Sequence, residues 1–292
     1  MSERAGGPAA MKPTVAPGRV KEVTSVSNPI VKDIRALALK KGRDETGLFL
    51  AEGLKLVLDA VDAGWKMETL LVSRARLPES ELLQKAAARA VASGADLLEC
   101  SEKVLAAVAR RDNPQGAIGV FHRHLTPLDR LDPGADGLLV VLDRVRDPGN
   151  LGTVLRTADA AGARGVVLVG DCVDPFSLET VRATMGSIFA VPMARASEEA
   201  FLAWRRRFAG LVVGTHMKGD TDYRAPNYAG RPVALVMGNE QAGLGEAMAG
   251  ACDTLVRIPQ VGKADSLNLA VATGLMIFEA RRSVLKLAEA SR

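Results

Sequence analysis

The second half of the chain alternates short apolar runs with longer segments of helical spacing, and this alternation restricts the fold more than any other feature. Short apolar runs between turn-forming residues are typical of buried strands. Such runs lie at 138–142, 166–169, 211–213, 234–237 and 254–258, and helix candidates follow them at 150–161, 178–188, 198–208, 244–249 and 267–288. Strands that alternate with helices predict a parallel sheet covered by helices on both faces.

The first half of the chain has the same alternation on a smaller scale. Asn28 and Pro29 provide an N-cap followed by proline, and the apolar spacing predicts a helix from there through Lys41. Strands are predicted at 48–51, 69–72 and 117–121, and helices at 54–63, 79–92 and 101–108. This half therefore predicts a smaller α/β unit of its own.

The length of 292 residues suits two domains. Residues 1–19 are rich in glycine, alanine and proline and predict a flexible tail. A first α/β domain is expected at 20–124, and a linker with proline, glycine and aspartate at 125–137. The second α/β domain is expected at 138–292.

The basic excess of the chain lies in its first half. The formal net charge is +4. Residues 1–125 hold 19 Lys and Arg against 15 Asp and Glu, whereas the rest of the chain holds 19 of each. A cluster of five basic residues falls on the first helix and the turn after it: Lys32, Arg35, Lys40, Lys41 and Arg43. This cluster suits contact with an RNA backbone, although a solvated helix face explains it as well.

Composition and cysteine spacing argue against several classes of protein. Cys100, Cys172 and Cys252 are odd in number and widely spaced, which indicates reduced thiols rather than disulfides or a metal clamp. No apolar run approaches the ~20 residues that cross a bilayer, and residues 1–19 lack the apolar core of a secretion signal. We therefore expect a cytoplasmic protein without a bound metal.

Three loops that each follow a strand and precede a helix carry the polar residues of interest. The loop at 147–157 contains Asn150 and Arg156, and the loop at 236–244 contains Glu240 between glycines. The third, at 258–272, contains Ser266 and Asn268 where the last helix begins. Because ligands bind at the carboxyl ends of strands in parallel α/β sheets, the three loops are predicted to face one ligand.

Each of these residues also has a purely structural interpretation. Asn150, Ser266 and Asn268 suit helix caps, and Glu240 favours a helix N-terminus. Arg156 suits a surface salt bridge. The loops lack the GxGxxG of dinucleotide sites and the GxxxxGK of phosphate loops, which disfavours those cofactors. Three such loops at one sheet edge nevertheless exceed what capping requires.

Taken in order, the three loops resemble the motifs of the SpoU, or TrmH, family of RNA ribose 2′-O-methyltransferases within the SPOUT class. The resemblance covers residues 138–284, and segments 49–53 and 113–116 resemble the family's N-terminal RNA substrate-binding domain. It implies that the parallel sheet of the second domain forms a deep trefoil knot and that the first domain is L30e-like. It also implies S-adenosylmethionine as cofactor and a homodimer formed through the second domain.

The resemblance further implies roles for individual residues. The cofactor-binding residues would be Thr215, Gly238, Asn239, Ile258, Gln260, Ser266, Leu267 and Asn268. The catalytic residues would be Arg156, Asn150, Glu240, Ser266 and Asn268. Gln241 stands where the family usually has glycine, Gln260 where methionine is frequent, and Ala270 where serine is frequent. These departures bear on details of cofactor binding rather than on the type of reaction.

In the family, the arginine at the position of Arg156 is nominated to activate the 2′-hydroxyl group. A guanidinium keeps its proton in proteins, so we expect Arg156 to act as a cation that clamps a phosphate and stabilises a developing alkoxide. Asn150, Glu240, Ser266 and Asn268 would orient it and the ribose. Positioning would then supply most of the rate.

Structured RNA is the expected substrate, with ribosomal RNA as the first choice and transfer RNA as the second. Three alternatives stay open. A related knotted enzyme would methylate a base nitrogen, but Arg156 argues against it. A non-catalytic RNA-binding or ribosome-assembly protein would have lost the cofactor, and the intact loops argue against that. A small-molecule nucleotide enzyme would need a phosphate loop, which the sequence lacks.

Overall fold

The chain forms two β-sheets in a computed structural model that describes residues 16–263 and 266–287. The first sheet has the order β1-β4-β3-β5-β2, in which β5 is antiparallel to β3 and β2 and the other pairings are parallel. Its strands are Val20–Val23 (β1), Leu48–Glu52 (β2), Met67–Ser73 (β3), Asp96–Cys100 (β4) and Ala117–His122 (β5). Its helices are Pro29–Ala36 (α1), Lys40–Thr46 (α2), Leu54–Asp62 (α3), Glu81–Ala92 (α4) and Glu102–Ala109 (α5).

The single helix predicted from Pro29 through Lys41 is wrong, because the structure has two helices there. α1 ends at Ala36, and α2 begins at Lys40 after a turn. A Cβ atom placed on Gly42 would lie 2.3 Å from the carbonyl oxygen of Ala36, so glycine permits α2 to pack closely on the end of α1. Strands β1 and β4 were not predicted, since charged residues interrupt both short runs.

The start of the first domain differs from the predicted tail. Residues 1–15 lie outside the described residues. Gly18 and Arg19 of the predicted tail are hydrogen-bonded to the domain, Gly18 to the carbonyl oxygen of Val91 and Arg19 to Asp96. The backbone N–H of Arg19, together with the side chains of Arg19 and Lys21, holds the pKa of Asp96 at about 2. The ordered domain therefore includes residues assigned to the tail.

The second sheet is parallel throughout and has the order β10-β12-β9-β11-β6-β7-β8. Its strands are Leu138–Asp143 (β6), Gly165–Val169 (β7), Met193–Ala196 (β8), Leu211–Thr215 (β9), Thr221–Asp222 (β10), Val233–Met237 (β11) and Thr254–Arg257 (β12). Its helices are Pro148–Ala160 (α6), Leu178–Ala183 (α7), Glu198–Arg205 (α8), Glu246–Gly250 (α9) and Leu269–Ala280 (α10). The predicted parallel α/β sheet is confirmed, whereas β8 and β10 were not predicted.

Helices cover both faces of this sheet, as the largely apolar central strands require. Val140 and Leu142 on β6 share a core with Leu151 of α6 and Ile277 of α10. Residues of the opposite strand face, including Val141, share a second core with α8 and α9. The carboxyl ends of the strands are left uncovered by these layers, and the three loops lie there.

The two domains share a buried interface. The aromatic rings of Phe49 and Phe176 meet across it with centroids 4.9 Å apart, and Trp65 Nε1 donates to the carbonyl oxygen of Phe189 at 3.1 Å. The predicted linker at 125–137 packs against the second sheet, where Thr126 N donates to the carbonyl oxygen of Met193. Leu131 of the same segment is buried. No helix in the described ranges is long and apolar enough to span a membrane.

Candidate active site

A cavity of about 560 Å³ opens at the carboxyl ends of β9, β11 and β12. Seven of the eight residues expected to bind the cofactor line it: Thr215, Gly238, Asn239, Ile258, Gln260, Ser266 and Leu267. Asn268, the eighth, lies next to the cavity as the N-cap of α10. The structure therefore brings the second and third loops together around one space of the size that small-molecule sites have.

The loop after β11 is fixed by its own hydrogen bonds. Asn239 and Gly243 exchange backbone hydrogen bonds of 3.1 and 2.9 Å, and Asn239 Oδ1 accepts from the backbone N–H of Gln241 at 2.9 Å. A Cβ atom on Gly238 would lie 2.3 Å from the carbonyl carbon of Gly243, so this position requires glycine. Asn239 Nδ2 donates to the carbonyl oxygen of Arg144 at 2.7 Å, which connects this loop to the end of β6.

A chain of side-chain hydrogen bonds connects all three loops. Asn268 Nδ2 donates to Asn150 Oδ1 at 2.9 Å, and Asn150 Nδ2 donates to Glu240 Oε1 at 3.1 Å. Asn268 also caps α10, because its Oδ1 accepts from the backbone N–H of Ala270 at 2.9 Å. The interpretation of Asn268 as a helix cap is thus correct, and the same side chain also connects the third loop to Asn150.

Asn150 is not the cap of α6, contrary to one interpretation of the sequence. Asp147 caps this helix and accepts the backbone N–H of Asn150 through Oδ1 at 2.6 Å. Proline at the first helical position needs no partner for a missing N–H, so Asp147 followed by Pro148 is the better start signal. The side chain of Asn150 is therefore available for Glu240 and Asn268.

Arg156 lies on the exposed side of α6 and does not line the cavity. It stands in the third turn of the helix that Asp147 caps. Arg156 is thus outside the lining of the cavity, six residues along α6 from Asn150, whose side chain bonds to Glu240 and Asn268. Ser266 is exposed at the cavity.

Further residues of the cavity were not predicted. His216, Met217 and Lys218 line it from the loop after β9, and Met237 and Leu269 add apolar surface. The loop after β9 follows a parallel strand in the same way as the three motifs, so its position in the sequence was a usable signal. It has one glycine, Gly219, but lacks the amide side chains that made the other loops conspicuous.

The composition of the cavity fits S-adenosylmethionine. Apolar side chains and the backbone of three loops suit a flat ring with polar edges. Glu240 is the one carboxylate among the described lining residues, and Lys218 and Arg257 line the same cavity, so it offers both charges to a ligand that carries a sulfonium and a carboxylate. Burial raises the pKa of Cys100 and Cys252 to about 12, so both thiols stay protonated at neutral pH. Within the described part of the chain, no group of three or more His, Cys, Asp or Glu could hold a metal ion.

The basic cluster of the first domain is only partly available to RNA. Lys32, Arg35, Lys40 and Lys41 are exposed. The prediction that Arg43 contacts RNA is wrong, because only 4% of its side chain is exposed. Its Nε donates to Asp174 Oδ2 of the second domain at 2.7 Å, and its Nη1 donates to the carbonyl oxygen of Leu37 at 2.8 Å. Arg43 therefore joins the domains.

Comparison with known proteins agrees with this geometry. The family model described as SpoU rRNA Methylase family matches residues 137–278, and the MRM3-like substrate binding domain matches residues 28–119. The chain is 33% identical over 263 residues to the 23S rRNA (guanosine(2553)-2'-O)-methyltransferase RlmP of Bacillus subtilis, which covers 90% of this chain and 100% of that protein.

Two further relatives extend the match. The 23S rRNA (uridine(2479)-2'-O)-methyltransferase of Streptomyces viridochromogenes is 35% identical over 256 residues, with 84% of this chain and 86% of the relative covered. The crystal structure of an AdoMet-bound rRNA methyltransferase from Sinorhizobium meliloti superimposes with a TM-score of 0.86 and 57% identity, over 92% of this chain and 100% of that one. Sequence and fold agree over nearly the whole length, and the chain belongs to the SpoU rRNA methylase family.

Proposed function

We propose that this enzyme transfers a methyl group from S-adenosylmethionine to a ribose 2′-hydroxyl of 23S ribosomal RNA. The observation that carries the proposal is the cavity built from the loops after β9, β11 and β12, with the Asn150–Glu240–Asn268 hydrogen bonds beside it. Two relatives covering most of the chain are named as 23S rRNA 2'-O-methyltransferases, and a third relative was crystallised with AdoMet bound. The proposal places the enzyme in the cytoplasm, with its substrate.

In this proposal the residues of the chain bind the cofactor and position the RNA. S-adenosylmethionine, when bound, supplies a methyl group activated by a sulfonium. Gly238, Ile258 and Leu267 would hold it by backbone and apolar contact, and Glu240 would offset its positive charge. Arg156 holds an RNA phosphate and stabilises the negative charge that develops on the 2′-oxygen, because preorganised cations are most effective where charge appears. Ser266 and Asn150 orient the ribose.

The first domain would provide further contacts with folded RNA. Lys32, Arg35, Lys40 and Lys41 present four exposed cations for phosphate groups. The match to a substrate binding domain supports this assignment. Electrostatic contact of this kind weakens steeply with salt, so RNA affinity should fall as the salt concentration rises.

We also propose a homodimer formed through the second domain. α10 exposes Val271, Leu275 and Phe278, which lie on one helical face, and Leu267 precedes them on the same side. A continuous apolar face of this kind marks an interaction site. A second copy of the chain is the occupant that the family suggests. The trefoil knot belongs to the same proposal, and the return of α10 from β12 to pack on α6 and β11 supports it.

The test of the reaction measures methyl transfer to an unmodified 23S rRNA transcript and to ribosomal subunits that lack ribose methylation. Mapping the ribose methylation then identifies the nucleotide. Arg156→Ala should abolish transfer while the affinity for S-adenosylhomocysteine, measured by calorimetry, stays within about threefold, since Arg156 lies outside the cavity. Arg206→Ala, an exposed arginine that follows α8 on the opposite face of the sheet, is the matched control.

The outcomes separate the alternatives. Transfer to transfer RNA but not to 23S rRNA would replace the substrate and keep the reaction. Methylation of a base would replace the acceptor atom. Failure to bind S-adenosylhomocysteine at millimolar concentration would favour a non-catalytic RNA-binding protein. Equal activity of the Arg156→Ala and wild-type proteins would remove Arg156 from the mechanism.

A further inference from the structure

Met185 combines a strained backbone with an exposed apolar side chain. Its φ angle is 53°, in the left-handed region that residues with a Cβ atom rarely adopt. Met185 is 54% exposed, although methionine is usually buried. Helices often end in a left-handed residue at this position, but glycine is the usual choice there. Neither packing nor backbone preference therefore explains methionine.

The neighbours of Met185 hold the strained turn in place. Thr184 is fully buried, and its Oγ1 donates to the carbonyl oxygen of Val181 at 2.7 Å. Gly186 has a φ angle of 109°, and a Cβ atom there would lie 2.4 Å from Asp59 Oδ2 of the first domain. The turn is thus fixed on one side by the core and on the other by α3. Strain that is maintained in this way is characteristic of functional positions.

Helix packing places Met185 on the same side of α6 as Arg156. Gly152 of α6 touches α7, since a Cβ atom on Gly152 would lie 2.3 Å from Ala183 Cβ. Arg156 follows four residues later, which is one turn and about 40° around the helix toward solvent. Thr157 faces the other neighbour, α10, where it approaches Gly274. Side chains on a helix tilt toward its N-terminus. The side chain of Arg156 therefore tilts toward Gly152 and the end of α7, which Met185 follows.

A second arginine borders the turn from the first domain. Arg182 of α7 donates through Nη2 to the carbonyl oxygen of Ala109 at 2.6 Å, and Arg110 comes next along the chain. Arg110 is exposed and is also left-handed, with φ of 55°. The α7 segment that leads into Met185 thus contacts both α6, which carries the exposed Arg156, and the end of α5, which the exposed Arg110 follows.

Resting on the proposed methyl transfer to ribosomal RNA, we propose that Met185 packs against the face of an unstacked base next to the methylated ribose. Exposed arginines on the neighbouring segments suit the phosphates of a single strand, and a fixed apolar side chain beside these segments suits the base that those phosphates flank. The methionine sulfur makes favourable contact with aromatic rings, and apolar side chains of this type separate stacked bases in other nucleic-acid complexes. Met185 thus positions the nucleotide while Arg156 holds its backbone.

The test compares Met185→Gly, Met185→Ala and Met185→Leu with wild-type enzyme on an unmodified 23S rRNA transcript. Glycine relieves the left-handed backbone and removes the side chain, so Met185→Gly should melt at the wild-type temperature or above it. Both Met185→Gly and Met185→Ala should lower kcat/KM about tenfold through loss of the base contact. Met185→Leu should retain most activity. Leu82→Ala, an exposed apolar residue on α4, is the matched control and should match wild type.

The outcomes distinguish failure of the base contact by Met185 from failure of the proposed reaction. If wild-type enzyme transfers no methyl group to the transcript, the proposed function fails and the base contact fails with it. If wild-type enzyme is active and Met185→Gly is equally active, the base contact alone is overturned. Loss of activity together with weaker binding of S-adenosylhomocysteine or a lower melting temperature would also overturn it, because Met185 would then act through the fold.

Discussion

At the scale of single residues, three side chains from three separate loops form one hydrogen-bonded chain. Asn150 stands in the middle, accepting from Asn268 and donating to Glu240. An amide is suited to this position because it offers a donor on one side and an acceptor on the other. The position of Glu240 at the cavity therefore depends on an uncharged group at residue 150.

Asn150→Asp tests this dependence with almost no change in size. A carboxylate at position 150 would repel Glu240 and lose the donated hydrogen bond, so we expect kcat/KM to fall at least about tenfold. The melting temperature should change by no more than about 3 °C, because Asp147 still caps α6. Steady-state methyl transfer and a thermal melt measure the two effects. Asn227→Asp, in a surface turn of the same domain, is the control, and an equal loss there would argue against a specific role for Asn150.

The sequence predicted which loops matter better than it predicted what each residue does. Glycines, amides and a carboxylate at strand ends identified the cavity residues, since such loops face ligands in parallel sheets. The cap of α6 was assigned to Asn150 instead of Asp147, because both residues have the right chemistry near the helix start. Met185 gave no signal, since a left-handed backbone at a residue other than glycine is visible only in coordinates.

At the scale of secondary-structure elements, α10 is apolar on two sides. Met276 and Ile277 are buried against the sheet, whereas Val271, Leu275 and Phe278 are exposed. The sequence predicted a helix at 267–288, but a helix that is apolar on most sides does not reveal which face packs on its own chain. The strands β8 and β10 were missed for a related reason, because runs of two to four residues carry too little periodicity.

Phe278→Asp tests whether the exposed face of α10 contacts a second copy. Phe278 is 51% exposed, and a carboxylate there would be desolvated in a dimer but hydrated in a monomer. We expect the wild-type chain to have the mass of a dimer by light scattering and Phe278→Asp to shift to a monomer at micromolar concentration. Leu82→Asp on α4 should leave the mass unchanged. A monomeric wild type would contradict the proposed dimer.

At the scale of the whole molecule, buried ion pairs join the two domains. Glu52 of β2 is almost fully buried and accepts from Arg182 Nε of α7 at 2.8 Å. Arg43 and Asp174 form a second such pair. The sequence could not reveal either pair, because the partners are more than a hundred residues apart and basic residues near RNA-binding segments resemble surface contacts. The buried aromatic residues at the interface add apolar area to these pairs.

Glu52→Gln should show that the domains unfold together. The substitution keeps the shape but leaves Arg182 without its carboxylate, and we expect the free energy of unfolding to fall by about 2 kcal/mol. The melting temperature should drop by about 3 °C in a single transition of the whole chain, measured by calorimetry. Glu81→Gln, which removes an exposed pair with Lys85, should change the free energy of unfolding by less than about 0.5 kcal/mol. Two separate transitions in the wild type would contradict the prediction.

The interface of Arg43, Glu52, Asp174 and Arg182 has a consequence for target choice. Buried charges tolerate little displacement, so the first domain stands at one distance and one angle from the cavity. A nucleotide can be methylated only where the surrounding RNA reaches from the first domain to the cavity. The enzyme would then select its ribose by the distance between that ribose and the part of the RNA that the first domain contacts. A lengthened or shortened helix in the substrate would move the target ribose away from the cavity.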